Sequence, residues 1–78
     1  METYKNLGGD SNVRAYEIND DSITVQFNDG GTYLYNYDSA GREMIEKMKI
    51  LAVAGKGLNT FINLYAREVY SAKLAERK

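Results

Sequence analysis

A stretch of fifteen residues, 23–37, constrains the fold more than any other part of the chain. It reads ITVQFNDGGTYLYNY, two runs of alternating apolar and polar residues on either side of Asn28, Asp29 and Gly30. Such alternation predicts β-strands with one buried face, and the short segment between the runs predicts a tight turn. The stretch is therefore predicted to form a β-hairpin, on which the rest of the chain packs.

Two registers of this hairpin are possible, and they place its tyrosines on different faces. A two-residue loop at Asp29-Gly30 pairs Val25 with Leu34 and puts the tyrosines on the face away from Val25. A three-residue loop, with Gly30 in the left-handed position of a type I turn and G1 bulge, pairs Val25 with Tyr33. Since a slip of one residue exchanges the faces, only one register can be native. The second is favoured because it collects the apolar side chains on one face: Ile23, Val25, Phe27, Tyr33, Tyr35 and Tyr37.

An earlier strand is predicted over residues 13–18, followed by a turn of asparagine and aspartate residues. A three-residue loop there would turn Val13 and Ala15 toward the buried face, whereas a two-residue loop would turn Tyr16 and Ile18 toward it. Both alternatives stay open from the sequence. Either one gives a three-stranded antiparallel meander.

Two helices are predicted after the hairpin. The first has a cap at Asp38 or Ser39 and ends near residues 53–54, before the glycines of residues 55–57. The second begins near Asn59 and is predicted to continue to the end of the chain. Apolar residues recur at helical spacing in both. They are Met44, Ile45, Met48, Leu51 and Ala52 in the first helix, and Leu58, Phe61, Ile62, Tyr65, Val69 and Ala72 in the second.

The predicted fold class is therefore α+β, a three-stranded antiparallel β-meander followed by two α-helices packed on one face. Residues 1–12 are polar and glycine-rich and are predicted to be a flexible N-terminal lead-in. Residues 13–78 are predicted to form a single domain, because 78 residues suffice for one small hydrophobic core.

Composition limits the catalytic and metal-binding groups that the chain can offer, since it contains neither histidine nor cysteine. The commonest general base, the commonest metal ligand and thiolate nucleophiles are thus missing. We expect no enzymatic activity, no metal and no cofactor. No stretch is long and apolar enough to span a membrane, and the N-terminus lacks the features of a secretory signal, so a cytoplasmic protein without membrane association is predicted.

Two short segments invite a ligand-site interpretation. Gly55, Lys56 and Gly57 precede a predicted helix, where free backbone amides favour an anion. The Gly-Lys-Ser/Thr core of a phosphate-binding loop is missing, so a helix stop followed by a turn is the better interpretation. Asp20 and Asp21 are adjacent carboxylates, but they lack the ligand spacing of a calcium loop and are typical turn residues.

Charge is distributed unevenly along the chain. Residues 1–41 carry two basic and seven acidic side chains, whereas residues 42–78 carry eight basic and four acidic ones. This reflects either aspartate in turns and lysine and arginine in helices, or a basic helical face for an anionic partner. In the second case Lys and Arg neutralise phosphates, while Asn and Tyr contact sugar or base. The predicted RNA contacts on the second helix are Lys56, Asn59, Asn63, Arg67, Tyr70, Lys73 and Arg77.

Seven tyrosines in 78 residues have two possible uses. Aromatic side chains exposed on a sheet stack on splayed RNA bases. In a small protein they more often fill the core, with the hydroxyl group reaching the rim. The favoured hairpin register predicts that Tyr33 and Tyr35 belong to the core.

Several short segments, in this order, resemble the KTSC domain. They are Val13-Arg14-Ala15-Tyr16, residues 23–27, Gly31-Thr32-Tyr33-Leu34-Tyr35, and Gly57-Leu58-Asn59 with Ile62. That domain is named after the C-terminus of certain lysyl-tRNA synthetases and also occurs as a stand-alone bacterial or phage-like protein. Its central Tyr-x-Tyr would be Tyr33 and Tyr35, and its later segment would run from Gly55 or Gly57 to Asn59. The resemblance covers roughly residues 11–70.

The resemblance implies a short sheet followed by helices and no enzymatic activity, and the association of the family with the synthetase suggests RNA binding. The chain departs from the pattern at Tyr37-Asp38, where a proline is expected, and at Glu68 and Glu76, which dilute the basic charge. RNA is the first partner that we expect. The alternative is a protein partner or a second copy of the chain, bound through an exposed sheet edge or through Tyr70 and Leu74 on the last helix.

Overall fold

A five-stranded antiparallel sheet is the centre of the computed structural model, which describes residues 1–9 and 11–75. Its strands follow one another in chain order: β1 (Glu2–Thr3), β2 (Val13–Asn19), β3 (Ser22–Phe27), β4 (Thr32–Asn36) and β5 (Ala72–Ala75). Three helices lie between β4 and β5: α1 (Tyr37–Ala40), α2 (Arg42–Ala54) and α3 (Leu58–Phe61), the last continued by a π-helical turn, Ile62–Ala66. The α+β class is confirmed, but the meander has five strands within the described residues rather than three.

The β3–β4 hairpin adopts the register that separates apolar from polar side chains. Val25 lies opposite Tyr33 and Ile23 opposite Tyr35. Gly30 has a φ of 92°, the left-handed conformation that the three-residue loop requires. The prediction from alternation and turn chemistry is confirmed here. Tyr33 and Tyr35 are accordingly core residues, 8% and 1% exposed.

The β2–β3 hairpin combines both alternatives that the sequence left open. A two-residue turn pairs Tyr16 with Val25, as the shorter loop predicts. A shift of register between Val13 and Ala15 then brings Val13 opposite Phe27, as the longer loop predicts. The bulge adds one residue to β2, so Val13 and Tyr16 are both buried although their spacing is odd.

Part of the segment predicted as a flexible lead-in makes defined contacts. Strand β1 pairs with β2, and Tyr4, which follows β1, is 4% exposed. The backbone N–H of Leu7 donates a hydrogen bond to the carbonyl oxygen of Gly55 at 2.8 Å. A strand of two residues is too short to produce an alternating pattern, so the polar composition of the segment gave no sign of it.

The first helical region begins earlier than predicted and is interrupted. Asn36 caps α1, and not Asp38 or Ser39: its side chain accepts from the N–H of Ser39 at 2.8 Å, and the Ser39 hydroxyl accepts from the N–H of Asn36 at 3.1 Å. This reciprocal pair is a capping box. Gly41, at a φ of 88°, then separates α1 from α2. Helix α2 ends at Ala54, and the predicted stop by glycine is confirmed.

The prediction that a second helix continues to the chain end is wrong. Helix α3 follows Gly57 rather than a cap at Asn59, and the helical turns end at Ala66. The chain then reverses, and β5 pairs with β4, starting with a hydrogen bond of 2.6 Å from Ser71 N–H to Leu34 O. Helix propensity is a weak preference. Here it is overridden by the unpaired edge of β4, whose backbone groups gain partners from β5.

One hydrophobic core joins the sheet to the helices, which all pack on the same face. Its fully buried members come from both halves of the chain: Ile23, Val25, Tyr35, Ile45, Met48 and Leu58. The shared core makes these elements a single domain. In the described part of the chain, none of the helices has both the length and the apolar character needed to cross a bilayer.

Candidate functional site

The segment formed by α3 and the π-helical turn positions the polar residues predicted to bind RNA. Leu58, Ile62 and Ala66 recur every fourth residue and are buried against the sheet. Asn59 and Asn63 each follow one of these anchors, so both lie along the flank of the segment. This flank faces the N-terminal loop and the β3–β4 turn, and it borders a series of depressions.

Three depressions meet along this flank, and we call them together the flank groove. The first, of 140 Å³, lies between the N-terminal loop and the start of α3, and includes Lys56 and Asn59 in its lining. The second, of 340 Å³, shares Asn59 with the first. The third, of 330 Å³, shares Asn63 and Phe27 with the second and ends at Arg67. Because neighbouring depressions share lining residues, the three adjoin one another between Lys56 and Arg67.

The middle depression is lined by residues from three separate parts of the chain. They are Asn12 from the N-terminal loop, Phe27, Asn28 and Asp29 from the β3–β4 hairpin, and Asn59 and Asn63 from the helical segment. Asn28 donates from Nδ2 to the carbonyl oxygen of Ser11 at 3.3 Å. The side-chain amides of Asn12, Asn59 and Asn63 make no hydrogen bond with the described residues. Three amides that can both donate and accept are therefore available to a ligand.

Tyrosine rings line the end of the flank groove near Arg67. The ring of Tyr70 packs on Tyr33, with centroids 4.9 Å apart, and against Tyr35 at 6.5 Å. The ammonium group of Lys73 lies 5.8 Å from the centroid of the Tyr33 ring. Because Tyr33 and Tyr35 are buried while Tyr70 is half-buried, Tyr70 is the ring of the three that a ligand reaches most easily.

Charges of both signs border the flank groove. Lys56 and Arg67 are exposed at its two ends, and Lys73 lies beyond Arg67 on β5. Asp29 and Glu68 also line the groove. The Asp29 carboxylate accepts a hydrogen bond from the N–H of Gly31 at 3.0 Å. The groove therefore offers cations at its ends and a carboxylate near its middle.

The structure brings most of the predicted contact residues together, although not on one helical face. Lys56, Asn59, Asn63, Arg67 and Tyr70 line the flank groove, whereas Lys73 belongs to β5. A common helical face is excluded because the helix ends at Ala66. Arg77 lies outside the described residues.

The lining residues that were not predicted as contacts include three asparagines, Asn6, Asn12 and Asn28. The sequence pattern assigned them to the lead-in and to a turn, where asparagine is common for local reasons. The folded chain brings them beside α3, which begins thirty or more residues later in the sequence. No spacing rule in the sequence relates them to Asn59.

A second polar cluster ties α2 to the β2–β3 turn, away from the groove. The Tyr37 hydroxyl donates to Glu46 Oε2 at 2.8 Å, and Lys49 Nζ contacts the same oxygen at 2.9 Å. Lys49 also donates to the carbonyl oxygen of Asp20 at 2.8 Å. The hydrogen bonds from Lys49 and then Tyr37 lower the pKa of Glu46. The hydrogen bond to Glu46, followed by desolvation, raises the pKa of Tyr37. Because these contacts join α2 to the β2–β3 turn, the cluster has a structural role.

Comparison of the chain with models of known protein families, with curated proteins and with solved structures finds no match. Among residues 1–9 and 11–75, no group of three acidic side chains is placed to hold a metal ion. The inference about function therefore rests on the geometry of the flank groove.

Proposed function

We propose that this protein is a small non-enzymatic module that binds single-stranded RNA in the flank groove. The observation that carries the proposal is that three depressions adjoin one another between Lys56 and Arg67, and that they include side-chain amides without a hydrogen bond to the described residues. Proteins that bind single strands combine a groove with cations for the backbone and polar or aromatic groups for the bases. RNA as the ligand also implies a cytoplasmic protein.

Each residue type has a distinct role in this proposal. Lys56, Arg67 and Lys73 neutralise phosphates. Asn59 and Asn63 contact sugar or base edges. Tyr70 provides a stacking surface for a base, and its ring is held in place by packing on Tyr33. In this arrangement the buried Tyr33 and Tyr35 shape the groove and do not contact RNA themselves.

The charge balance predicts weak, salt-sensitive binding. The net charge of the chain is −1, and Asp29 and Glu68 oppose the cations of the groove. If three cations each neutralise one phosphate, the plot of log K against log salt has a slope of about −2, since each contact on a single strand contributes roughly −0.7. Binding is therefore best measured at low ionic strength.

Fluorescence anisotropy with a labelled mixed-sequence RNA, about twelve nucleotides long to match the site sizes of single-strand binders, tests the proposal. Arg67→Glu is expected to abolish binding, because it replaces an exposed cation of the groove by an anion. Arg14→Glu is the matched control: Arg14 is exposed on β2, and the charge change is the same. Equal affinities for wild type, Arg67→Glu and Arg14→Glu would contradict the assignment of the groove.

An NMR titration with the same RNA locates the binding surface independently. The proposal expects chemical-shift changes at residues 56–73 and around Asn12 and Asn28, fading as salt rises. Changes confined to β1 or to the exposed side of α2 would place RNA elsewhere on the protein. The absence of any change at low salt would argue against RNA binding altogether.

The resemblance to the KTSC domain stays a prediction, and it supports the same function. Under that hypothesis the motif residues Tyr33, Tyr35, Gly57 and Asn59 are structural, and Asn59 is in addition one of the proposed RNA contacts. Gly57 has a φ of 84° at the start of α3, a backbone conformation that glycine adopts without strain. The conformation gives a physical reason for a glycine at that position.

A specific observation favours self-association as a second candidate function. Within residues 1–9 and 11–75, β5 is paired with β4 on one side, and no strand covers its other side. Leu74 on this strand is 56% exposed. An open edge strand is a template for pairing with another chain, and a second copy offers an identical edge. Tyr70, the other predicted contact, is less suited because it packs on Tyr33 and Tyr35.

A further inference from the structure

We infer that the middle depression of the flank groove binds an adenine base, which gives the protein a preference for adenine-rich single strands. This inference rests on the proposed RNA function and specifies the ligand of the same site. The depression has a volume of 340 Å³, and its lining includes Asn12, Asn59 and Asn63. These three amides make no hydrogen bond with the described residues, and the middle depression is the part of the groove that all three line.

The charge of the middle depression suits a base better than a phosphate. In the part of the chain that the structure describes, neither lysine nor arginine lines it, and the Asp29 carboxylate does. A phosphate in the middle depression would find no lysine or arginine among the described lining residues, whereas a neutral base needs no cation. The cations lie instead in the two flanking depressions, at Lys56 and Arg67. A strand can thus place phosphates at both ends of the groove and turn a base into its middle.

The side chains of the middle depression favour adenine among the bases. An asparagine amide forms a paired contact with adenine, accepting from N6 and donating to N7. Guanine is recognised mainly by arginine or lysine, which this depression lacks among the described residues. Cytosine is recognised by a carboxylate, but Asp29 already accepts from the N–H of Gly31. In single-stranded RNA the base edges are free for such contacts.

The helical segment and the N-terminal loop both contribute amide side chains to the middle depression. Asn59 is half-buried and Asn63 is exposed on the segment, while Asn12 is exposed on the loop. Phe27 lines the depression as an apolar wall and is itself 5% exposed. Several amides together with an apolar wall are the features expected of a pocket for a flat, polar-edged ring.

Anisotropy titrations of labelled oligoadenylate, oligocytidylate and oligouridylate, measured on the full chain at low salt, test the inference. Oligoadenylate is expected to bind about tenfold more tightly than the two pyrimidine strands, the discrimination typical of one good amide–base pair. Asn59→Ala and Asn63→Ala are each expected to weaken the binding of oligoadenylate more than that of oligocytidylate, and so to reduce this preference. Thr60→Ala is the control, because Thr60 is exposed on α3 and lines only the depression next to Lys56.

The outcomes separate this inference from the function on which it rests. Equal binding of the three strands would overturn the preference for adenine and leave RNA binding intact. No binding of any strand would overturn both. An adenine preference that survives in Asn59→Ala and Asn63→Ala alike would overturn the assignment to the middle depression. Loss of the preference in these variants, with Thr60→Ala retaining it, would establish the site.

Discussion

The phenol oxygen of Tyr4 accepts a hydrogen bond of 3.2 Å from the backbone N–H of Leu58, which lies 54 residues further along the chain. Leu58 is the first residue of α3, and the residue before it, Gly57, has no side chain to cap the helix. The tyrosine therefore satisfies one of the amides that a helix start leaves without a partner. Through this bond the N-terminal segment fixes the position of α3, and with it one wall of the flank groove.

Tyr4→Phe is expected to destabilise the fold by about 1–3 kcal/mol, the usual cost of a buried donor left without its acceptor. Tyr16→Phe is the matched control, because Tyr16 is also buried but its hydroxyl has no hydrogen-bond partner among the described residues. We expect the control to change the free energy of unfolding by less than about 0.5 kcal/mol. Urea titrations followed by circular dichroism measure both. If both variants lost the same free energy of unfolding, the hydrogen bond from Leu58 to Tyr4 would not be a source of stability.

Gly55→Ala is expected to be more damaging than Gly57→Ala, although both glycines have positive φ angles, 76° and 84°. A Cβ atom at Gly55 would lie 2.6 Å from the Cβ of Lys5, whereas at Gly57 the nearest atom is 3.7 Å away, on Leu51. Both substitutions cost about 1–2 kcal/mol of backbone strain. Only Gly55→Ala must also displace the N-terminal segment.

The displacement distinguishes the two alanine variants by NMR as well as by stability. In Gly55→Ala the amide resonances of residues 4–7 are expected to move, because the hydrogen bond from Leu7 to Gly55 breaks with the displacement. In Gly57→Ala these resonances should stay near their wild-type positions. Equal unfolding free energies in the two variants would argue against a tight contact between Lys5 and Gly55.

Local patterns explain why the centre of the sheet could be predicted. Alternation over residues 23–37 identified the β3–β4 hairpin, and the burial of apolar side chains selected its register. The turn residue Gly30 marked the left-handed position. These are properties of neighbouring residues, and a single sequence contains them. The two hairpin strands that carry the core are therefore the part that sequence reasoning recovers best.

Long-range pairing explains what could not be predicted. Strand β5 has a sequence that suits a helix, and it becomes a strand because the edge of β4 is available to it. Strand β1 is two residues long and has no pattern of its own. One wall of the flank groove could be predicted from the sequence, as a row of polar residues from Lys56 to Arg67. Its other wall, at Asn12 and Asn28, is a product of the tertiary fold alone.

The cluster of Tyr37, Glu46 and Lys49 predicts how stability depends on pH. The folded protein has a lowered pKa at Glu46, so the carboxylate contributes stability above its unfolded pKa of about 4.3. That contribution is lost as the pH falls through the folded pKa. Glu46→Gln is therefore expected to unfold more easily than wild type at neutral pH, and the difference should vanish in acid. Chemical denaturation of both proteins at a series of acidic pH values measures this difference in the free energy of unfolding.

Glu17→Gln is the control for this pH dependence, since Glu17 is an exposed carboxylate on β2 outside the cluster. It should leave the pH profile of stability close to that of wild type. At alkaline pH the dependence runs in the opposite direction, because the pKa of Tyr37 is raised in the folded protein. The protonated hydroxyl stabilises the fold below its unfolded pKa of about 10, and this contribution is lost as the pH rises through the folded pKa. A Glu46→Gln profile that runs parallel to wild type at every pH would contradict the role of the carboxylate.

Leu74→Glu tests whether the open side of β5 pairs with a second copy of the chain. Wild type is expected to show a sedimentation coefficient that rises with concentration, because pairing of two edges satisfies backbone groups that otherwise face water. The variant places a charge on the edge strand, which opposes such pairing, and it should sediment as a monomer at every concentration. Leu64→Glu is the control: Leu64 is 66% exposed, compared with 56% for Leu74, but it lies on the π-helical turn and not on a strand. If both variants dissociate the dimer, association uses the apolar surface in general; if wild type is a monomer throughout, β5 is simply a solvated edge.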